Sequence, residues 1–427
     1  MQARDFGIFS LINTKQDFTE APHKSEQASL IRNDLEGKKI ILLLYSLAIG
    51  GAECRAVQLA RYLREKYRAD AQIWAMAGAG PLTKLCEDNR VPWKVIQPRG
   101  GSSLLRAPIC FLRTAWHLRR YRPDILMPYT LIPDVVCGLV WRLTGAATCI
   151  WNQTDAGHSV LIAKCWQTLA AKNTPLLISN SRHALTFLSE TLGAKEKKCK
   201  LISNGILTAS PLHTRDQWRK RIDVENSTLL VSMLANLRNP KDHATLLRSW
   251  SLVTKYFSSS SEKPVLALAG EYGDTYPSLK NLASDLDITH QVRFLGYVTD
   301  TSGLLHASDL AVFSSTSEGC PNAVLESMAA GLAVVATDIP GVREAVGPSL
   351  YEWLAPVGNA SVLAEKILQL ACNTQLRKEM GELGRERVLT HFSLRRQGED
   401  IANVLQGMLS LNKNTKRKNF LLMFSSR

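Results

Sequence analysis

The chain has 427 residues, 45% of them hydrophobic and 21% charged, and carries a formal net charge of +14. That length excludes a single ordinary core, so two globular domains are expected, and the positive balance favours an anionic partner: nucleotide phosphates, nucleic acid or an acidic lipid surface. The nine cysteines form no C-x-x-C pair and no His/Cys cluster. They read as buried free thiols, which suits a reducing compartment, not disulfides or zinc ligands.

Residues 1–37 have charges where a signal peptide needs an apolar centre and read as a loosely ordered leader. "KIILLLYS" (39–46) is a continuous apolar run, as expected of a strand buried on both faces of a parallel sheet. A loop with Gly50 and Gly51 follows, then a helix with Ala56, Leu59, Ala60 and Leu63 on one face. Strands "AQIWAMA", "WKVIQ", "DILMPYT", "ATCIWNQT" and "PLLISNS" then alternate with helices "LTKLCEDN", "FLRTAWHLRRY" and "SVLIAKCWQTLAAK". "LIPDVVCGLVWRLTGAATCIW" is the nearest approach to a membrane span, but Asp134 and Arg142 interrupt it. The polar stretch "TASPLHTRDQWRKRIDVENST" reads as a hinge. Alternation restarts with "LLVSMLAN", "PVLALAGE", "VRFLGY", "DLAVFSS" and "LAVVATD" as strands and helices between them.

The expected fold is therefore α/β, with two Rossmann-like domains facing across a cleft that collects the loops after the strands. The expected boundaries are 38–207 for the first domain and 208–390 for the second. A C-terminal helix over 391–411 returns toward the first, and 412–427 is a tail. That tail, "NKNTKRKNFLLMFSSR", joins basic residues to an apolar run from Phe420 to Phe424. It reads either as a frayed end or as a foot on an anionic membrane.

The richest motif is "STSEGCPNAVLESMAAGLAVVATD". A strand leads into the loop "TSEGCP"; Pro321 and Asn322 suit a helix start and Gly331 its stop. A helix N-terminus attracts phosphate, yet Glu318 and Glu326 stand on either side of it. Carboxylates repel phosphate but accept hydrogen bonds from hydroxyls. A ligand with phosphates between two sets of hydroxyls, a nucleotide sugar, satisfies both. Taken alone, the two acids would read as surface residues.

They do not stand alone. The segment resembles the E-x7-E motif of the retaining glycosyltransferases of family 4, which have the two-Rossmann GT-B architecture. The resemblance runs from about residue 39 to 400. It includes "GGAE" at 50–53, "ISNS" at 178–181, "LISNGI" at 201–206, "LANLRNPKDHATLL" at 234–247, "LALAGEYG" at 266–273 and "VRFLGYVTD" at 292–300. It implies that Glu318 lies against the donor sugar and that Glu326 binds the nucleotide ribose. The backbone of Gly319, Cys320, Pro321 and Asn322 would touch sugar and diphosphate. Lys241 matches the family's lysine, while Asn236 stands where the family usually has arginine and Arg238 comes two residues later. Arg238 and Lys241 would offset charge on the leaving diphosphate. Gly50 and Gly51 would approach donor phosphate and acceptor, and the base would sit near Gly270, Glu271 and Tyr297. In "WNQTDAGH" Asp155, and less so His158, is the candidate near the transferred sugar. "DLD" at 285–287 ends an amphipathic helix and reads as solvated, not as a metal motif.

The expected function is transfer of a sugar from a nucleotide-diphosphate donor, UDP by preference, with retention. The acceptor would be a saccharide or lipid-linked acceptor at the cytoplasmic face of a membrane, in cell-surface polysaccharide or glycolipid synthesis. No metal or other cofactor is required, and no nucleic-acid partner is expected, because no aromatic-basic stripe accompanies the charge. The alternatives are a nucleotide-sugar epimerase of the same architecture and a catalytically silent nucleotide-binding module.

Overall fold

The computed structural model describes residues 33–97, 107–153, 162–206, 210–260 and 263–424, without the side chains of 107 and 412–424. They form two compact units. One comprises the residues up to Ser203 together with those from Arg395 onward; the other runs from Asn204 to Leu394. They are called here the N-terminal and C-terminal units.

The N-terminal unit is built on seven parallel strands: β1 (Lys39–Leu44), β2 (Asp70–Ala75), β3 (Trp93–Val95), β4 (Ile125–Pro128), β5 (Thr148–Gln153), β6 (Leu176–Ser179) and β7 (Cys199–Leu201), in the order β3-β2-β1-β4-β5-β6-β7. The run of aliphatics in β1 is explained by burial on both faces. Ile40, Leu42 and Leu44 enter one core, and Ile41 and Leu43 the other, as the two-residue period of a strand requires. The first core is closed by helix Gly51–Tyr67 and by Ile401, Ala402 and Leu405 of the long C-terminal helix Leu394–Phe424. The second is closed by helices Ala107–Tyr121 and Leu131–Thr144.

The C-terminal unit has six parallel strands: β8 (Leu230–Leu234), β9 (Val265–Ala269), β10 (Val292–Gly296), β11 (Leu310–Phe313), β12 (Val334–Thr337) and β13 (Leu354–Ala355), in the order β10-β9-β8-β11-β12-β13. Numbered within each unit, both sheets begin with the Rossmann order 3-2-1-4-5-6. In such a sheet the chain leaves the first strand to one side and returns on the other, so the loops beyond the first and fourth strands diverge and leave a crevice. In the C-terminal unit these strands are β8 and β11, paired Leu310 with Val231 and Ala311 with Ser232.

Several local expectations are revised. Residues 33–37, read as the end of the leader, form a turn; Leu35 is wholly buried, and Asn33 Nδ2 donates to the Tyr67 carbonyl at 3.0 Å. The polar hinge contains a helix, Arg215–Arg221, started by a capping box between Thr214 and Gln217. Its polarity is spent inside the fold: Trp218 Nε1 donates to Asp300 Oδ2 at 2.7 Å, and buried Arg219 pairs with Asp309 at 2.7 Å. The nearest approach to a span is helix Leu131–Thr144, ended by Gly145 at φ 81° and followed by β5. Its buried Asp134 accepts from the Asn152 N–H at 3.0 Å. Among the described residues no helix is long and apolar enough to cross a membrane. The C-terminal helix continues beyond residue 411, where the tail was expected to begin. Of the nine free cysteines four are buried, while Cys165 and Cys372 are exposed and depart from the expectation of buried thiols.

Candidate active site

The crevice at the β8–β11 switch point holds a cavity of about 250 Å³, lined from β8 and its exit by Leu234, Ala235 and Lys241. From β11 and beyond come Phe313, Ser315, Glu318, Cys320, Pro321 and Asn322. Both loops are fixed by hydrogen bonds to their backbone groups. Lys241 closes the short turn Asn239–Lys241; its carbonyl accepts from Ser314 Oγ at 3.0 Å, and the Pro240 carbonyl accepts from the Thr316 N–H at 2.9 Å. Asp242 then takes the left-handed conformation, φ 43°, and its carboxylate caps the next helix at the Thr245 N–H. On the other side the Thr337 hydroxyl donates to the Ser315 carbonyl.

Across this cavity the Lys241 ammonium donates to Glu318 Oε1. Sequence reasoning gave the two residues separate ligand groups; the structure pairs them because β8 and β11 are adjacent. The pair leaves Glu318 at 16% side-chain exposure, so its charge is neutralised locally instead of by solvent. Nearby His243 is buried. Desolvation pushes its pKa down to about 4, and the Lys241 charge acts in the same direction, so burial favours the neutral imidazole.

Helix Asn322–Ala329 begins at the same wall. Its N-cap is Pro321, whose side chain makes no capping bond, and Gly331 past its end has φ 79°, as expected of the stop. The positive end of the helix therefore borders the cavity beside Lys241. Asn322 Oδ1 accepts from Asn204 Nδ2 at 3.0 Å. Asn204, a buried residue within the quoted "LISNGI", was not singled out from sequence. Gly341 was also missed. A Cβ there would lie 2.4 Å from the Gly319 carbonyl oxygen and 2.5 Å from that of Glu318, so this glycine lets the acidic loop pack against helix Pro340–Val346.

Other expected site residues lie off this wall. Arg238 and Glu271 form an exposed ion pair at 3.8 Å and do not line the cavity. Asn236, at the position of the family's arginine, accepts from the Glu271 N–H at 3.0 Å and so braces the same two loops. Gly270 is needed for close approach: a Cβ would fall 2.0 Å from the Ala235 carbonyl oxygen. Tyr297 is half exposed. Tyr272, not noticed in the sequence, is exposed, stacks on Tyr276 at 4.0 Å and donates to the Phe294 carbonyl at 3.0 Å. Glu326 is half-buried in the second turn of its helix and is not part of the cavity lining. Gly50 and Gly51 belong to the N-terminal unit, at the start of helix Gly51–Tyr67. Asp155 and His158 lie outside the described residues.

Two parallel sheets of Rossmann order, with a crevice at the switch point of the second that holds a Lys–Glu pair beside a helix N-terminus, define the GT-B class of fold. Residues 214–387 match the family described as glycosyl transferases group 1, and residues 49–210 match glycosyltransferase family 4. Taken with the fold, these matches support a family 4 type of glycosyltransferase. The chain is 30% identical over 165 residues to the Rhizobium meliloti lipopolysaccharide core biosynthesis glycosyltransferase LpsE, covering 37% of this chain and 48% of that protein. It is 23% identical over 276 residues to the Escherichia coli UDP-Gal:alpha-D-GlcNAc-diphosphoundecaprenol alpha-1,3-galactosyltransferase, covering 62% of this chain and 70% of that one. The chain spans about half the length of the first curated relatives it matches. Among solved structures, Anabaena Alr3699/HepE in complex with UDP-glucose superposes with a TM-score of 0.74 at 21% identity, covering 86% of this chain and 100% of that one, which shows the shared fold.

Proposed function

We propose that this protein transfers a sugar from a nucleotide-diphosphate sugar, with UDP as nucleotide, to a saccharide or lipid-linked acceptor, with retention at the anomeric carbon. The observation that carries this is the Lys241–Glu318 pair facing the positive end of helix Asn322–Ala329 across one cavity. A diphosphate entering there meets an ammonium and backbone N–H groups, while the carboxylate is left to accept from sugar hydroxyls. In the transfer, the bond from the anomeric carbon to the diphosphate oxygen breaks as that from the acceptor oxygen forms. The acceptor proton passes to the leaving phosphate, which works as base on the same face. Lys241 and the helix end stabilise the charge that accumulates on the diphosphate, so this route calls for no metal. Glu326 is assigned to the ribose hydroxyls, and Arg238 to the rim beside Glu271. The named relatives support a role in cell-surface polysaccharide or lipopolysaccharide synthesis. The epimerase alternative gains no support from them, because they carry glycosyltransferase names.

A panel of nucleotide sugars screened for protection against thermal unfolding tests the donor assignment. A UDP-sugar at a hundred times its Kd should add about 2.7 kcal/mol of stability. Glu326→Ala should need about tenfold more of the same ligand for equal protection. Absence of protection by every nucleotide sugar would refute the donor assignment, and an unchanged requirement in Glu326→Ala would remove that residue from the ribose.

A further inference from the structure

The chain enters the C-terminal unit at Asn204, a residue exposed by only 2%. Its backbone is braced by the segment where the chain leaves that unit. Two residues on, the Ile206 N–H donates to the Phe392 carbonyl at 2.7 Å, and Ile206 pairs with Ser393 in a parallel bridge. Phe392 is buried, with the Arg387 guanidinium 5.6 Å from its ring centre. Arg387 in turn donates to the Glu344 and Ala345 carbonyls, at 2.8 Å each, in helix Pro340–Val346. That is the helix on which the acidic loop packs through Gly341. Asn204 therefore stands on backbone tied to the same scaffold as Glu318.

A buried carboxamide needs hydrogen-bond partners. Asn204 Nδ2 finds one 118 residues away in the chain, at Asn322 Oδ1, 3.0 Å distant. Asn322 is the first residue of helix Asn322–Ala329; it is partly exposed and lines the cavity that Lys241 also lines. Asparagine at a helix start commonly turns its oxygen back to cap the first-turn N–H groups. Here the cap position falls to Pro321, which makes no side-chain bond, and the Asn322 oxygen is taken up by Asn204. A carboxamide has an accepting end and a donating end, and rotating it exchanges the two. With the accepting end held against the protein, Nδ2 is the end that Asn322 brings to the cavity.

We propose that Asn204 is a positioning residue for the donor: it holds Asn322 Oδ1 so that Asn322 Nδ2 donates to the diphosphate, next to Lys241 and the helix N–H groups. This rests on the nucleotide-diphosphate assignment above and adds to it. An N–H donor to a phosphate oxygen makes a charge-assisted bond, whereas the amide oxygen turned the same way would repel the phosphate. An ammonium and a helix end attract any anion; a carboxamide with its donating end fixed adds a directional contact. Asn204 is not part of the cavity lining, so its effect passes through Asn322.

Titration of the full chain with UDP, and with uridine as the probe that lacks phosphates, tests this. Asn322→Ala should raise the Kd for UDP about tenfold and leave that for uridine unchanged. Asn204→Asp keeps the shape but removes the N–H. Asn322 must then rotate to meet the new carboxylate and turn its oxygen to the phosphates, so the Kd for UDP should rise by about tenfold or more. In the Asn322→Ala background the same substitution should add less than about twofold, which separates orientation from the added charge and from general damage. Asn204→Ala, which brings no charge, should cost about threefold and covers the case in which Asn204→Asp does not fold. The inference is overturned if Asn322→Ala binds UDP normally, if the Asn204 effect persists undiminished in that background, or if uridine binding falls in parallel with that of UDP. Failure of the wild-type chain to bind UDP would overturn the donor assignment as well, whereas each of the other results would overturn this inference alone.

Discussion

Lys241→Ala should lower turnover about a hundredfold, equivalent to about 2.7 kcal/mol of transition-state stabilisation. Two effects combine. The leaving diphosphate loses the cation that offsets its growing charge, and Glu318, only 16% exposed, loses its ion-pair partner and presents an uncompensated carboxylate to the phosphates. The second effect is separable. In the Lys241→Ala background, Glu318→Gln removes the repulsion, so the donor KM should recover while kcat stays low. Steady-state kinetics of the two single variants and the double variant measure this, and the residues should be strongly non-additive because they touch. A Lys241→Ala enzyme with normal kcat would rule out the charge-offset role.

The second large effect is expected at a residue with no side chain. In Gly341→Ala the new methyl would sit 2.4 and 2.5 Å from the carbonyl oxygens of Gly319 and Glu318. Both are backbone atoms and cannot rotate away, so the acidic loop must shift and carry Glu318 off Lys241. A displacement on the order of 1 Å at a catalytic group costs up to about a hundredfold in rate, so kcat should fall by one to two powers of ten while much of the donor affinity survives. Gly407→Ala is the matched control. It lies in the C-terminal helix with nothing within 4 Å of its added methyl. Activity there should be that of the wild type and stability slightly higher, by up to about 1 kcal/mol. Equal kinetics for the two alanine variants would show that the loop does not depend on close packing at Gly341.

Much of the fold was legible because the strands are doubly buried. Runs such as "KIILLL" and "PVLALA" have no polar face to confuse the period, and the alternation with helices leaves few parallel topologies open. Helix Leu131–Thr144 was harder to see for the same reason: covered by Ala107–Tyr121 and Lys164–Asn173, it lacks the polar side that marks an amphipathic helix. Helix Arg215–Arg221 was hidden by the opposite deception. Its arginines and Trp218 look solvated in sequence, but Arg219 and Trp218 are buried against Asp309 and Asp300. At the site, the acids, Lys241 and the helix start stand out as residue types that chemistry needs. The Lys241–Glu318 contact does not, because it depends on β8 and β11 becoming neighbours across 77 residues of chain. Nor does the stacking of Tyr272 on Tyr276, which belongs to no local motif.

The most direct test is a crystal structure of the protein with an unhydrolysed UDP-sugar. The diphosphate should lie within hydrogen-bonding distance of the Lys241 ammonium and of backbone N–H groups at the start of helix Asn322–Ala329, with Glu318 turned from Lys241 toward a sugar hydroxyl. A nucleotide bound elsewhere, or a diphosphate in that crevice with the Lys241–Glu318 pair still closed and touching neither end of the ligand, would contradict the account.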